Sequence, residues 1–152
     1  MKARRLYPVL LSACSLLLAH FTAHAQTAVI PKGTTVYIVQ HSESELKDSV
    51  PDLRGTLQEM LEDWGYFLIV SDSTAADLTL AVQIKYVKES ALNSFSIFNR
   101  RAALVDATLR NPSGEDLWQC EQFKIGEKGM IGYNFGKAAM KTLVKEMKKG
   151  MK

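Results

Sequence analysis

The chain has 152 residues, with 19 basic and 16 acidic side chains and a formal net charge of +3. Its first 25 residues read as a removable export leader; taking away the leader's basic residues Lys2, Arg4 and Arg5 leaves zero net charge, one histidine (His41) and one cysteine (Cys120). Such a chain is expected to form one domain, lacks the broad cationic field that holds a phosphate backbone, and has too few imidazole and thiol groups for the common zinc sites.

The leader begins with the basic stretch Met1 to Arg5, continues with the mostly apolar Leu6 to Phe21, and ends in Ala23-His24-Ala25. Small residues at those two alanine positions predict cleavage before Gln26, so residues 1–25 are expected to be a signal peptide and 26–152 a single exported domain. Pro8 and Ser12 interrupt the apolar stretch, which falls short of the ~20 residues that span a bilayer. A second processing route is open, because Leu11-Ser12-Ala13-Cys14 resembles the lipobox of bacterial lipoproteins. Acylation at Cys14 would leave Ser15-Leu16-Leu17-Leu18 where a polar tether is expected. The expected location is therefore the periplasm or outside the cell, with a lipid anchor at Cys14 as the alternative, and no integral membrane span after leader removal. A lone mature cysteine has no internal disulfide partner, so Cys120 reads as a small buried hydrophobe, with an intermolecular bridge as the other reading.

Thr34 to Val39 is β-branched and aromatic, which predicts a strand, and His41 to Asp48 reads as a polar loop that ends it. Ser49-Val50-Pro51-Asp52 has the form of a capping box and predicts the start of a helix. Val50, Leu53, Leu57, Met60, Leu61 and Trp64 make its apolar stripe, with Leu57 and Trp64 expected in the seam against the sheet. Gly65 stands where a left-handed terminator is wanted. Tyr66 to Val70 is continuously apolar, which predicts a short central strand covered on both faces. Leu78, Leu80, Val82, Ile84 and Tyr86 alternate with smaller or polar residues, and Ala103, Val105, Ala107 and Leu109 do the same within 101–110; both patterns predict strands with one buried face. Asn111-Pro112-Ser113-Gly114 is a turn by composition, leading into a strand from Leu117 to Ile125. Asn134 can cap a last helix striped by Phe135, Ala139, Met140, Leu143, Val144 and Met147, with lysines on its other side or near its carboxyl end. The order β-α-β-β-β-β-α predicts an α+β fold, a mixed sheet of four to five strands with both helices packed on one face.

Three passages carry a likeness to known proteins: Leu61-Glu62-Asp63-Trp64-Gly65-Tyr66-Phe67 at the end of the first helix, Ala75-Ala76-Asp77-Leu78-Thr79-Leu80 at the entry to a strand, and the hairpin from Val105 to Trp118. Together they resemble a group of bacterial envelope domains, the amino-terminal domain of TolB, the curli-secretion lipoprotein family (CsgG) and related outer-membrane lipoproteins. The first strand departs from that pattern, with Gln40-His41-Ser42 in place of Pro-Phe. The resemblance covers about Thr34 to Lys149 and implies a non-enzymatic assembly or recognition domain at the cell envelope, with no catalytic residues to transfer.

The residues themselves offer little chemistry. His41 is the one mature imidazole, and a hydrolase using it would need a serine nucleophile that no Gly-x-Ser-x-Gly elbow presents. Asp77 and Asp106 would serve acid-base work only as a close pair; otherwise Asp77 caps a turn and Asp106 faces solvent or an ion-pair partner. Gly126, Gly129, Gly132 and Gly136 lack the spacing and the Lys-Ser/Thr ending of phosphate loops, and read as a flexible connection or binding loop. The least expected segment is Ala91 to Arg101, an inter-strand link rich in large apolar groups. Phe95, Ile97, Phe98, Arg100 and Arg101 are its candidate partner-binding residues, with extended hairpin or core as the other reading. These features predict a non-catalytic protein-recognition domain with an envelope protein as partner, no nucleic acid and no cofactor. The alternatives are a small secreted inhibitor or immunity-type protein and, last, a hydrolase using His41.

Overall fold

A computed structural model describes residues 29–45, 51–89, 100–126 and 134–151. The leader with Cys14 and the cleavage point at Gln26, the Ser49 cap, Phe95, Ile97 and Phe98, and the Gly129 to Gly132 loop lie outside the described residues. Strand β1 (Thr35–Ser44) leads to helix α1 (Arg54–Trp64), the short strand β2 (Leu68–Val70) and a single 3-10 turn at Ser73–Ala75. Strands β3 (Leu78–Glu89), β4 (Arg100–Arg110) and β5 (Asp116–Gly126) follow, and helix α2 (Phe135–Gly150) closes the chain. The five strands form one mixed sheet in the order β2-β1-β3-β4-β5, parallel between β1 and its two neighbours and antiparallel from β3 to β5. This is the expected α+β layer.

Strand alternation sends one set of side chains to the helix layer. Val36 and Ile38 on β1, Leu78 to Tyr86 at even positions on β3, and Ala103 to Leu109 at odd positions on β4 are all buried, and they pack with Leu57 and Leu61 of α1 and Met140, Leu143 and Met147 of α2. The period-two runs in the sequence are the ones the structure buries. On β5 the period breaks. Cys120 pairs with Ala107 while Phe123 pairs with Val105, so β5 carries an extra residue in a β-bulge at 121–122. The inward set thereby passes from Trp118 and Cys120 to Phe123 and Ile125, and Gln122 and Lys124 are kept out of the core.

Three expectations are corrected. First, β1 continues through His41, which pairs with Gln83 of β3 and is exposed, so this histidine sits on a strand and not in a loop. Ladder hydrogen bonds with β3 hold this polar stretch extended despite its weak strand propensity. Second, α1 starts at Arg54, not near Ser49. The Asp52 carboxylate accepts from the Arg54 N–H (2.9 Å) and the Gln40 side-chain oxygen accepts from the Leu53 N–H (3.1 Å), so two first-turn donors are satisfied by groups upstream of the helix. Third, β2 is an edge and not a central strand. It pairs only with Thr35 to Tyr37 of β1, and Leu68 is 59% exposed.

Gly65 ends α1 in the left-handed region (φ 63°), its N–H donating to the Leu61 and Glu62 carbonyls. At the far end of α2, Gly150 lies against the indole of Trp118, and a Cβ there would come within 2.8 Å of the ring's Cδ1.

Candidate functional site

The polar residues that could have formed a catalytic group are held apart. His41 and Ser42 point to opposite faces of β1, and the Ser42 hydroxyl accepts from the Gln40 amide at 2.7 Å. Asp106 shares a cross-sheet row with His41 through Gln83, two strands away or about 10 Å. Asp77 sits at the entrance to β3, about 20 Å further along the sheet from Asp106's row. Its carboxylate accepts from the Thr35 hydroxyl (2.7 Å) and the Thr35 N–H (3.0 Å), and these two bonds hold it below the usual carboxylate range. Asp77 is a clamp between the starts of β1 and β3. Asp72 is held low in the same way by the Thr74 N–H and hydroxyl. Cys120 is free and buried; burial first, then the carboxylates of Glu146, Asp106 and Glu121, push its thiol up and keep it protonated and unreactive. Among the described residues no group of three or more His, Cys, Asp or Glu side chains could hold a metal ion.

Of the candidate partner-binding residues, Arg100 enters the description as a backbone pair with Glu89, and Arg101 lies in β4 opposite Lys88. The Arg101 guanidinium stands 6.0 Å from the centre of the Phe135 ring, whose edge in turn meets Tyr86 at 5.7 Å. Tyr86 is buried, burial pushes its phenol up, and its hydroxyl has no hydrogen-bond partner among the described residues. Arg101 therefore stacks an aromatic from α2 at the end of the sheet where the 90–99 link leaves.

A different surface brings chemistry together. Beside α2 runs a groove of about 1020 Å³, walled by the end of α1 on one side and by residues 124–126 of β5 on the other. Its apolar lining is Met60, Trp64 and Ile125, which are partly buried, and Val144, which is buried. The rim is cationic: Lys137, Lys141, Lys145 and Lys148 from α2 and Lys124 from β5, with Asp63 as the one acidic side chain. The four α2 lysines project within an arc of about 80° and span about 16 Å of helix, close to three turns. Trp64 was expected in the seam between helix and sheet. It is instead partly buried at the last turn of α1, stacked on Tyr66 (centroids 4.9 Å apart) and edge-on to Phe67 (5.6 Å). One face of its indole is left toward the groove, where the Lys148 ammonium stands 5.4 Å from the ring centre. The Tyr66 hydroxyl donates to the Ile30 carbonyl at 2.7 Å and anchors the stack to the segment before β1.

The sequence alone places Lys141, Lys145, Lys148 and Lys149 on the other side or near the carboxyl end of the last helix and does not single out Lys137 or Lys124. Nothing local ties these lysines to Trp64, whose place follows from the packing of α1 against α2.

No known protein family matches the chain, and no curated protein does. Solved structures similar to it include the PelC dodecamer from Paraburkholderia phytofirmans, at 15% identity over 74% of this chain and 85% of that one (TM-score 0.49). The C-terminal domain of LpoB from Salmonella enterica is 14% identical over 66% of this chain and 88% of that one (TM-score 0.46). A lipoprotein from Neisseria meningitidis is 16% identical over 76% of this chain and 96% of that one (TM-score 0.44).

Proposed function

We propose that the chain is an exported, envelope-associated, non-catalytic domain that recognises another protein, with the groove beside α2 as its recognition surface. The observation that carries this reading is the groove itself, whose lining sets a partly buried tryptophan and other apolar side chains among exposed lysines. Aromatic anchors in a recessed pocket surrounded by polar residues are the arrangement in which interface energy concentrates. Export rests on the leader read from residues 1–25, and the envelope setting on the likeness of the Leu61 to Phe67 and Val105 to Trp118 passages to envelope domains. Phe95, Ile97 and Phe98, with Arg100 and Arg101, stay in the proposal as a second contact region beyond the groove.

The test is site-specific photocrosslinking in cells that express and export the full chain. A crosslinker at position 141, in the groove rim, is expected to yield discrete protein adducts, and one at position 41, on the helix-free face, is expected to yield none. Absence of adducts at 141, or the same diffuse adducts from both positions, overturns the reading.

A further inference from the structure

We infer that the occupant of the groove is an acidic amphipathic helix presented by a protein partner, an inference that rests on the groove being the recognition surface. The charge pattern sets the first requirement. Four lysines repeat along about 16 Å of α2, and a single carboxylate or phosphate headgroup can meet only one or two of them at contact distance. A matching ligand must repeat its anions about every turn, as Asp and Glu do at i, i+4 and i+7 or i+8 on a helix lying alongside.

The apolar lining sets the second requirement. Met60, Trp64 and Ile125 are partly buried and Val144 is buried, so the ligand must bring apolar side chains to them; a polyanion without such groups meets the lysines and leaves the apolar lining wet. The burial pattern also decides against insertion into a lipid surface. The apolar stripe of α2 is consumed by the core, with Met140, Leu143 and Met147 fully buried, and the large exposed hydrophobics among the described residues, Val29 and Leu68, lie outside the groove. An interfacial helix needs the opposite arrangement, an apolar face free to enter the acyl boundary. Asp63 on the α1 wall adds a direction: the acidic flank of the ligand faces α2, and its other flank is neutral or basic.

The experiment uses the full mature chain and defined probes, read by titration calorimetry and tryptophan fluorescence. The first probe is a synthetic helix of about 14 residues with a leucine stripe and Glu along one flank; the second is the same peptide with Lys for Glu. The others are poly-glutamate and phosphatidylglycerol vesicles. The Glu peptide is expected to bind at least about tenfold more tightly than the Lys peptide or poly-glutamate, to weaken with added salt, and to outcompete vesicles. The double variant Lys141→Glu/Lys145→Glu is expected to lose about tenfold or more in affinity while melting like the wild type. Equal binding of both peptides, vesicle binding without peptide binding, or an unchanged affinity in the double variant overturns the inference. The two levels of proposal fail differently. Discrete crosslinks at 141 with no binding of the Glu peptide sink this inference alone, whereas no crosslinks at 141 sink the recognition reading beneath it.

Discussion

The two helices lie on the same face of one sheet and spend their inner faces in the same way, yet their outer faces differ. On α1 the inward residues Leu57 and Leu61 are buried, and the outward ones are mixed: Gln58 bonds Glu62 at 2.8 Å, and Glu59 and Asp63 are exposed. On α2 the inward set is larger, from Ala139 to Met147, and the outward set is almost wholly lysine, relieved by Glu146, which pairs with Lys149 at 2.6 Å away from the groove. Their ends differ as well. Asn134 caps α2 through its own side chain, accepting from the Lys137 N–H at 2.9 Å, whereas α1 draws on Asp52 and on Gln40 from a neighbouring strand. The lesson is a division of labour within each helix. Inner faces are interchangeable hydrophobic surface that sets stability, and the outer face of one helix alone carries a patterned charge, which is where the proposed recognition surface lies.

The largest effects should come from breaking the likeness between the inner faces. Leu57→Ala and Leu143→Ala each remove a fully buried side chain and should cost about 2–5 kcal/mol, a large part of a domain's stability, measured as a lowered denaturation midpoint. If one is nearly silent, the two helices do not share one core. Next in size is the difference at the amino-terminal ends. Asn134→Ala removes the cap of α2 and should cost about 1 kcal/mol. Gln40→Ala should cost a comparable amount by orphaning the Leu53 N–H, although residue 40 lies outside the helix it supports. Equal stability of Gln40→Ala and wild type would show that α1 needs no help from β1.

Smaller again, Tyr86→Phe should leave stability unchanged or slightly raised, because it deletes a buried hydroxyl without removing a hydrogen bond among the described residues; a clear loss by thermal melting would reveal a partner for that hydroxyl. The smallest effect concerns pH and lies away from both helices. Asp77 is held low by Thr35, so its folded value lies below its unfolded one, and its contribution is present above the unfolded carboxylate range and lost as pH falls through the folded value. Asp77→Asn should therefore narrow the stability difference between neutral and acidic pH. An unchanged acid limb in the Asp77→Asn melting series would mean the clamp is energetically idle.

Much of this fold is legible in local pattern. The alternation at 78–86 and 103–109, the turn before Gly114 (φ 85°), the left-handed stop at Gly65 and the Asn134 cap each depend on residues within a few positions of one another. The misplaced features depend on distant partners. Polar residues at 40–44 are strand because β3 pairs with them, and apolar residues at 68–70 are an edge because only the start of β1 is available to them. The bulge at 121–122 exists because the inward register of β5 must follow β4 on both sides of it. The candidate site depends on distant partners too: the groove joins residues 60–64, 124–126 and 137–148, which no spacing rule relates, and Arg101, singled out beside Phe95 and Phe98, meets Phe135 of α2.

By itself, then, the sequence determines which residues are apolar at strand or helix period, where turns and caps interrupt them, and hence an α+β layer with two helices over one face. Those properties follow from backbone geometry and side-chain type, which act over one or two turns of chain. Only the tertiary structure decides which strand lies at the edge, where α1 begins, and that Trp64 opens toward a row of lysines. These outcomes are set by which surfaces are left once the apolar faces have been buried, and that remainder belongs to the packed whole.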